Sequence, residues 1–239
     1  MSRLGIIGGL GPMATAYFMQ LVIQMTQAKV DQEHIEMIIY NCPSIPDRTR
    51  YILGKSDENP VIPMIEIGKS LAEAGVDQIA IPCITAHFFH DELEKAIGVP
   101  VIHGIAKTAE YLYDRKIRKV GVMATDGTVE SGLFSMEFEK RQMECFYPTP
   151  SGQAAVMEFI YDDVKAGKAV DLAKFKKVAE ELFSAGAEVI LLGCTELSLI
   201  KRDMSVGAGF LDVMEVLAKC SVEKYGVLKP EYKELITKD

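Results

Sequence analysis

Tryptophan is absent from this sequence, and only 8% of the residues are aromatic. Basic residues are in the minority, with 26 Lys and Arg against 34 Asp and Glu, a formal net charge of −8. The basic, aromatic-interleaved face of a nucleic-acid binder is therefore not expected. No apolar stretch reaches the ~20 residues that a membrane span needs. The five cysteines, at 42, 83, 145, 194 and 220, form no Cys-x-x-Cys, are odd in number and lie far apart. That excludes a simple disulfide framework and suits free thiols in a reducing compartment. Residues 1–9 break their apolar run with glycines and lack a small-residue cleavage site, so they read as a first strand and not as a signal peptide. The expectation is a cytoplasmic chain with no nucleic-acid or membrane partner.

The remaining composition is that of a globular protein: 239 residues, 49% hydrophobic and 25% charged, enough for one large domain or two small ones. Short apolar runs alternate with helical patterns. Strands are expected over 4–7, 36–40, 78–81, 99–103, 120–124, 144–146 and 189–192. Helices are expected over 15–29, 60–74, 88–96, 105–115, 129–141, 153–166, 172–185 and 211–225. This alternation predicts an α/β fold with mostly parallel strands flanked by helices.

The sequence also repeats itself. Residues 3–11 lie over 119–127 at a shift of 116, and both segments end in a glycine turn before a helix. Residues 74–83 lie over 185–194 at a shift of 111, both running from a helix end through Gly, an acidic residue and an apolar strand to a Cys. Two matches in the same order predict two pseudo-symmetric α/β domains. The first is expected to cover 1–98 and carry Cys83, with the C-terminal helix of 209–239 packed back onto it. The second is expected to cover 99–208 and carry Cys194.

Ligands of open parallel sheets bind outside the carboxyl ends of the strands, and clefts between domains are common sites. Cys83 and Cys194 both follow such strand ends. If the halves face each other, so do the thiols. Two acid/base groups on opposite sides of one carbon suit racemisation, in which one takes a proton and the other returns one to the opposite face. A thiol of ordinary pKa ~8.5 becomes a usable thiolate beside cations or helix N-termini. The plain alternative is a pair of buried strand-end cysteines. Around them, Thr85, Thr195 and Thr125 offer hydroxyls or helix caps, and the Gly8–Pro12 loop permits close backbone approach. Arg48 and Lys165 are candidate carboxylate partners, with exposed surface roles as the alternative.

Three competing readings are weaker. Gly9-Leu-Gly-Pro-Met-Ala14 fits G-x-G-x-x-A, but the second strand ends without the acid that a dinucleotide ribose wants. Cys83, His87 and His90 would make an unusual zinc set; His87 suits a partly buried ring or a group tuning Cys83. A two-lobed binding module leaves the paired cysteines unexplained. Cys42, Cys145 and Cys220 have no matched partner and are assigned to packing.

Taken together, Gly8-Gly-Leu-Gly-Pro-Met-Ala-Thr15, Asn41 with Pro46-Asp-Arg48, Pro82-Cys-Ile-Thr-Ala-His87, Ala124-Thr-Asp-Gly-Thr128 and Gly193-Cys-Thr-Glu-Leu197 resemble the aspartate/glutamate racemase family. The resemblance runs over about residues 1–200, most of the chain. Glu196 after Cys-Thr, where glutamate racemases usually have His, favours the aspartate racemase branch. The resemblance implies two pseudo-symmetric domains, a homodimer, and neither pyridoxal phosphate nor metal. It implies Cys83 and Cys194 as the acid/base pair, and Arg48 and Lys165 on a side-chain carboxylate. Lys165-Ala-Gly167 matches the family's Lys-x-Gly. Leu10, Ile84, Thr85, Thr125 and Thr195 would line the site.

Ile84 departs from the family's usual Asn and removes a carboxamide, a change that bears on substrate choice, enantiomer preference or activity. The expected activity is cofactor-independent racemisation of a small acidic amino acid, aspartate before glutamate. The alternatives are a maleate isomerase-like or arylmalonate decarboxylase-like reaction on a small dicarboxylate, or a small-acid binding protein with weak activity.

Overall fold

The computed structural model describes residues 2–238. In chain order the strands are β1 (Leu4–Gly8), β2 (Met37–Asn41), β3 (Gln78–Ala80), β4 (Lys119–Met123), β5 (Glu144–Phe146), β6 (Val189–Leu192) and β7 (Phe210–Asp212). The helices are α1 (Pro12–Met25), α2 (Arg48–Ile52), α3 (Val61–Glu73), α4 (His90–Ile97), α5 (Gly104–Asp114), α6 (Asp126–Glu130), α7 (Leu133–Glu139), α8 (Pro150–Glu158), α9 (Leu172–Ser184), α10 (Thr195–Asp203) and α11 (Val213–Tyr225). A 3-10 turn at Thr85–Phe89 precedes α4, and a π-helical turn at Phe159–Val164 continues α8.

Two sheets form, ordered β2-β1-β3 and β5-β4-β6-β7, and every strand pair in them is parallel. β1 and β6 are buried along their whole length, as strands covered by helices on both faces must be. The sheets match in layout. A parallel bridge from Ile79 to Val101 occupies the edge that β7 fills in the second sheet. The strand expected over 99–103 is thus reduced to a single bridge, since Pro100 has no N–H to give a ladder. The segment expected to run from a glycine link straight into a helix instead pairs Phe210–Asp212 with β6. Residues from 210 therefore first complete the second sheet, and α11 begins only where the Asp212 carboxylate accepts the Met214 N–H at 2.8 Å.

α11 then packs against α1 and α5, at the centre of the molecule. One apolar cluster joins Phe18 and Leu21 of α1, Ile105 and Leu112 of α5, Val120 and Val122 of β4, and Met214 and Leu217 of α11. Each fully buried Leu, Ile or Phe there contributes roughly 1.5–3 kcal/mol. Two outer clusters sit under α3 and α4 on one side and under α8 and α9 on the other.

Local chemistry sets the turns. Gly9 has φ +95°, and a Cβ on it would stand 2.3 Å from the Cys42 backbone, so only glycine lets the β1–α1 loop press against the end of β2. Gly132, at φ +66°, divides the helix expected over 129–141 into α6 and α7. Among the described residues, no helix is long and apolar enough to cross a membrane.

Candidate active site

The carboxyl ends of both sheets open on one narrow cavity of about 270 Å³. The loop after β1 brings Leu10, and the loop after β2 brings Asp47 with Arg48 and Thr49 of α2. The chain beyond β3 brings Cys83, Ile84 and Thr85. The end of β4 brings Thr125, the end of β6 brings Cys194, Thr195 and Glu196, and the π-helical turn and its exit bring Tyr161 and Lys165. All nine residues expected at the site from the sequence line this cavity. Asp47, Thr49, Tyr161 and Glu196 line it as well and were not expected there.

On one side, Arg48 is only 8% exposed, so the surface alternative for it falls away. Its Nη1 donates to the carbonyls of Pro46 at 2.9 Å and Ile45 at 3.2 Å, and its Nη2 donates to that of Leu10 at 3.3 Å. Nε has no partner among the described residues. Burial works against the charge, but the adjacent Cys83 thiol and Asp47 outweigh it and hold the guanidinium's pKa above its ordinary value. Asp47 also caps α2, accepting the Arg50 N–H at 2.8 Å. Cys83 is 5% exposed.

The other side is built differently. Cys194, also 5% exposed, donates its S–H to Glu196 Oε2 at 3.0 Å, and the Thr195 hydroxyl donates to the same oxygen at 3.4 Å. Lys165 Nζ lies 3.8 Å from the other carboxylate oxygen, Oε1. Burial, followed by the repulsion of Glu196, pushes the Cys194 thiol well above its ordinary pKa, with Lys165 opposing. Burial likewise opposes the Lys165 charge, but Glu196, Cys194, Tyr161 and Asp47 together raise its pKa. The ammonium also sits 4.1 Å from the centre of the Tyr161 ring. The Tyr161 hydroxyl donates to Asp47 Oδ2 at 3.2 Å and so ties the two halves across the cavity. Burial pushes the Tyr161 phenol up to about 12.

A triangle of hydroxyls forms a second tie. Thr85 and Thr125 lie 3.0 Å apart, and Thr128 is 3.1 Å from each. Thr125 also caps α6, accepting the Thr128 N–H at 3.3 Å. The cavity thus has a thiol on each sheet, two cations, two carboxylates and a hydroxyl cluster. It can hold a small zwitterion and move a proton to or from it on two sides.

His87 lies outside this constellation. Its ring stacks with that of His103 at 5.7 Å between centroids, and His103 lies 4.3 Å from the His90 ring. Neither nitrogen of His87 has a partner among the described residues. No three His, Cys, Asp or Glu side chains among the described residues are grouped to hold a metal ion.

A family model described as Asp/Glu/Hydantoin racemase matches residues 7–220. The broad specificity amino-acid racemase RacX of Bacillus subtilis (strain 168) is 26% identical over 226 residues, covering 93% of this chain and 97% of that protein. The solved structure of Picrophilus torridus aspartate racemase is similar with a TM-score of 0.82 at 28% identity, covering 98% of each chain. An aspartate racemase homologue from Pyrococcus horikoshii OT3 reaches 0.74 at 25% identity, covering 94% of this chain and 99% of that one.

Proposed function

The chain belongs to the Asp/Glu/Hydantoin racemase family and is an amino-acid racemase, and from that premise we propose that it racemises an acidic amino acid, aspartate before glutamate, through Cys83 and Cys194. The observation that carries this reading is that one cavity collects a thiol from each sheet and a cation beside each of them.

A Cα–H is a very weak acid, so its removal needs a base in contact and stabilisation of the carbanion left behind. One cysteine, as thiolate, takes the Cα proton. The other, as thiol, delivers a proton to the opposite face and inverts the centre. For the other enantiomer the roles exchange. The α-carboxylate, where negative charge develops, is served by the Thr85 and Thr125 hydroxyls, by the Thr195 hydroxyl when it turns from Glu196, and by the α10 N-terminus, which no side chain caps. Lys165 and Arg48 supply positive charge for a side-chain carboxylate inside a chain of net charge −8. Three of the five N–H groups of Arg48 already go to backbone carbonyls, so it acts as an anchored charge with two donors left, one on Nε and one on Nη2.

A second reading is favoured by Glu196 and Asp47, which line the same cavity and offset its cations. With Ile84 in place of a carboxamide, they suit a neutral or basic side chain, and the relative RacX is named for broad specificity.

Heavy water separates the two readings. The enzyme is incubated with a panel of D- and L-amino acids, and deuterium at Cα is followed together with optical rotation. The expected result is exchange with inversion of aspartate, and losses of about 10³-fold or more in C83A and in C194A. Exchange confined to neutral or basic amino acids overturns the acidic assignment. Racemisation that survives in both variants overturns the two-thiol mechanism.

A further inference from the structure

The repeat that matches Cys83 to Cys194 also lays Thr85 over Glu196, at the same shift of 111. Only one of the two thiols therefore has a carboxylate two residues on. That carboxylate is buried, and the thiol donates to it at 3.0 Å. The neighbours of the other thiol differ in kind, because Cys83 faces the Arg48 guanidinium. Two walls of similar fold thus carry opposite electrostatics.

We propose that Glu196 is a positioning residue that keeps the proton on Cys194 in the resting enzyme, so that Cys83 is the resident base and Cys194 the resident acid. The proposal rests on the two-thiol reading above and adds to it an unequal starting state. Ionising Cys194 alone would put two negative charges at hydrogen-bond distance in a buried site, which strongly favours keeping the proton. The groups around Cys194 are Glu196 and Lys165, with Tyr161 and Asp47 beyond the lysine. Lys165 contacts the oxygen of Glu196 that the thiol does not use, so the carboxylate is held between thiol and ammonium.

The protons balance in both directions. For the enantiomer whose Cα–H faces Cys83, that thiolate gains the Cα proton and Cys194 gives its own to the opposite face. That turnover leaves Cys83 as thiol and Cys194 as thiolate, the state in which the other enantiomer is taken: the Cys194 thiolate gains the Cα proton, and Cys83 delivers its own to the opposite face, which restores the resting enzyme. Free enzyme left in the second state returns to rest by exchanging protons with water, and Glu196 makes that return favourable by accepting the S–H of Cys194.

Racemisation has an equilibrium constant of one, so any variant changes kcat/KM equally in the two directions and steady-state rates hide the asymmetry. Thiol alkylation does not. The intact enzyme is treated with iodoacetamide across pH without substrate, and labelling at each cysteine is followed by peptide mass spectrometry. At neutral pH, Cys83 is expected to react about tenfold or more faster than Cys194. In E196Q the pH midpoint for Cys194 falls by about one unit or more while that of Cys83 stays, and E196D keeps the parental order. Comparable labelling of both thiols in the parent, or an unmoved Cys194 midpoint in E196Q, overturns the proposal. If E196Q does not fold, K165M reads the same network in the opposite sense. Removing the ammonium must raise the Cys194 midpoint, and a midpoint that falls or stays refutes the assignment. Alkylation needs no turnover, so an error in the proposed substrate leaves this test intact.

Discussion

Arg48 holds three backbone carbonyls in one buried fork and presents its remaining charge to Cys83. Lysine carries the charge but cannot reproduce that planar set of donors. R48K is therefore expected to lose charge-assisted hydrogen bonds worth about 1.5–3 kcal/mol each, and kcat/KM should drop roughly 10- to 100-fold. Parental kinetics in R48K would show that charge alone suffices at this position. Arg48 was legible as a candidate because it follows the second strand in a loop at the carboxyl edge, and its eight companions were legible from the repeat, the strand ends and the resemblance. Asp47, Thr49, Tyr161 and Glu196 were not. Tyr161 lies in a π-helical turn, where 3.6-residue periodicity no longer tells which way a side chain faces. Glu196 has no equivalent in the first half of the repeat, so symmetry could not point to it.

At the scale of elements, the cavity depends on how closely α2 and α6 meet. A Cβ at Gly127 of α6 would lie 2.9 Å from the Thr49 Cα of α2, which is backbone and cannot rotate away. G127A should force these helices apart, and with them Arg48 at the start of α2 and Thr125 at the cap of α6. The expected cost is about 1–3 kcal/mol in stability, read from denaturant midpoints, together with about a tenfold fall in kcat/KM. Full activity at reduced stability would show that this seam does not set the site's geometry. The long, strongly periodic helices and the apolar strands were readable because each buries one clear pattern. α2 spans five residues and β7 three, which is too short for a period to declare itself. The fourth edge of each sheet was misread for the same reason: Val101 makes one bridge beside a proline, and β7 lies against a glycine-rich link.

Across the whole molecule, stability should carry the mark of His87. Burial, followed by the neighbouring His103 and His90, pushes its pKa down to about 3. The folded value lies below the unfolded value of ~6.5, so the neutral ring's contribution is complete above pH 6.5 and is lost as the pH falls toward 3, at up to about 1.4 kcal/mol per pH unit. Urea midpoints measured from pH 7 to 4 should decline, and H87L should decline less steeply by about one proton; equal slopes would assign the acid sensitivity elsewhere. The central packing of α11 on α1 and α5 has a consequence of another kind. Phe18, Leu21, Val22 and Met25 of α1 leave the ribosome early, and the helix that covers them is made only after the second sheet. Until then the nascent chain carries an uncovered apolar ridge, of the kind that chaperones hold and that drives misassembly. α11 is thus the latch of biosynthesis, and its docking marks the moment at which two partly built sheets become one enzyme.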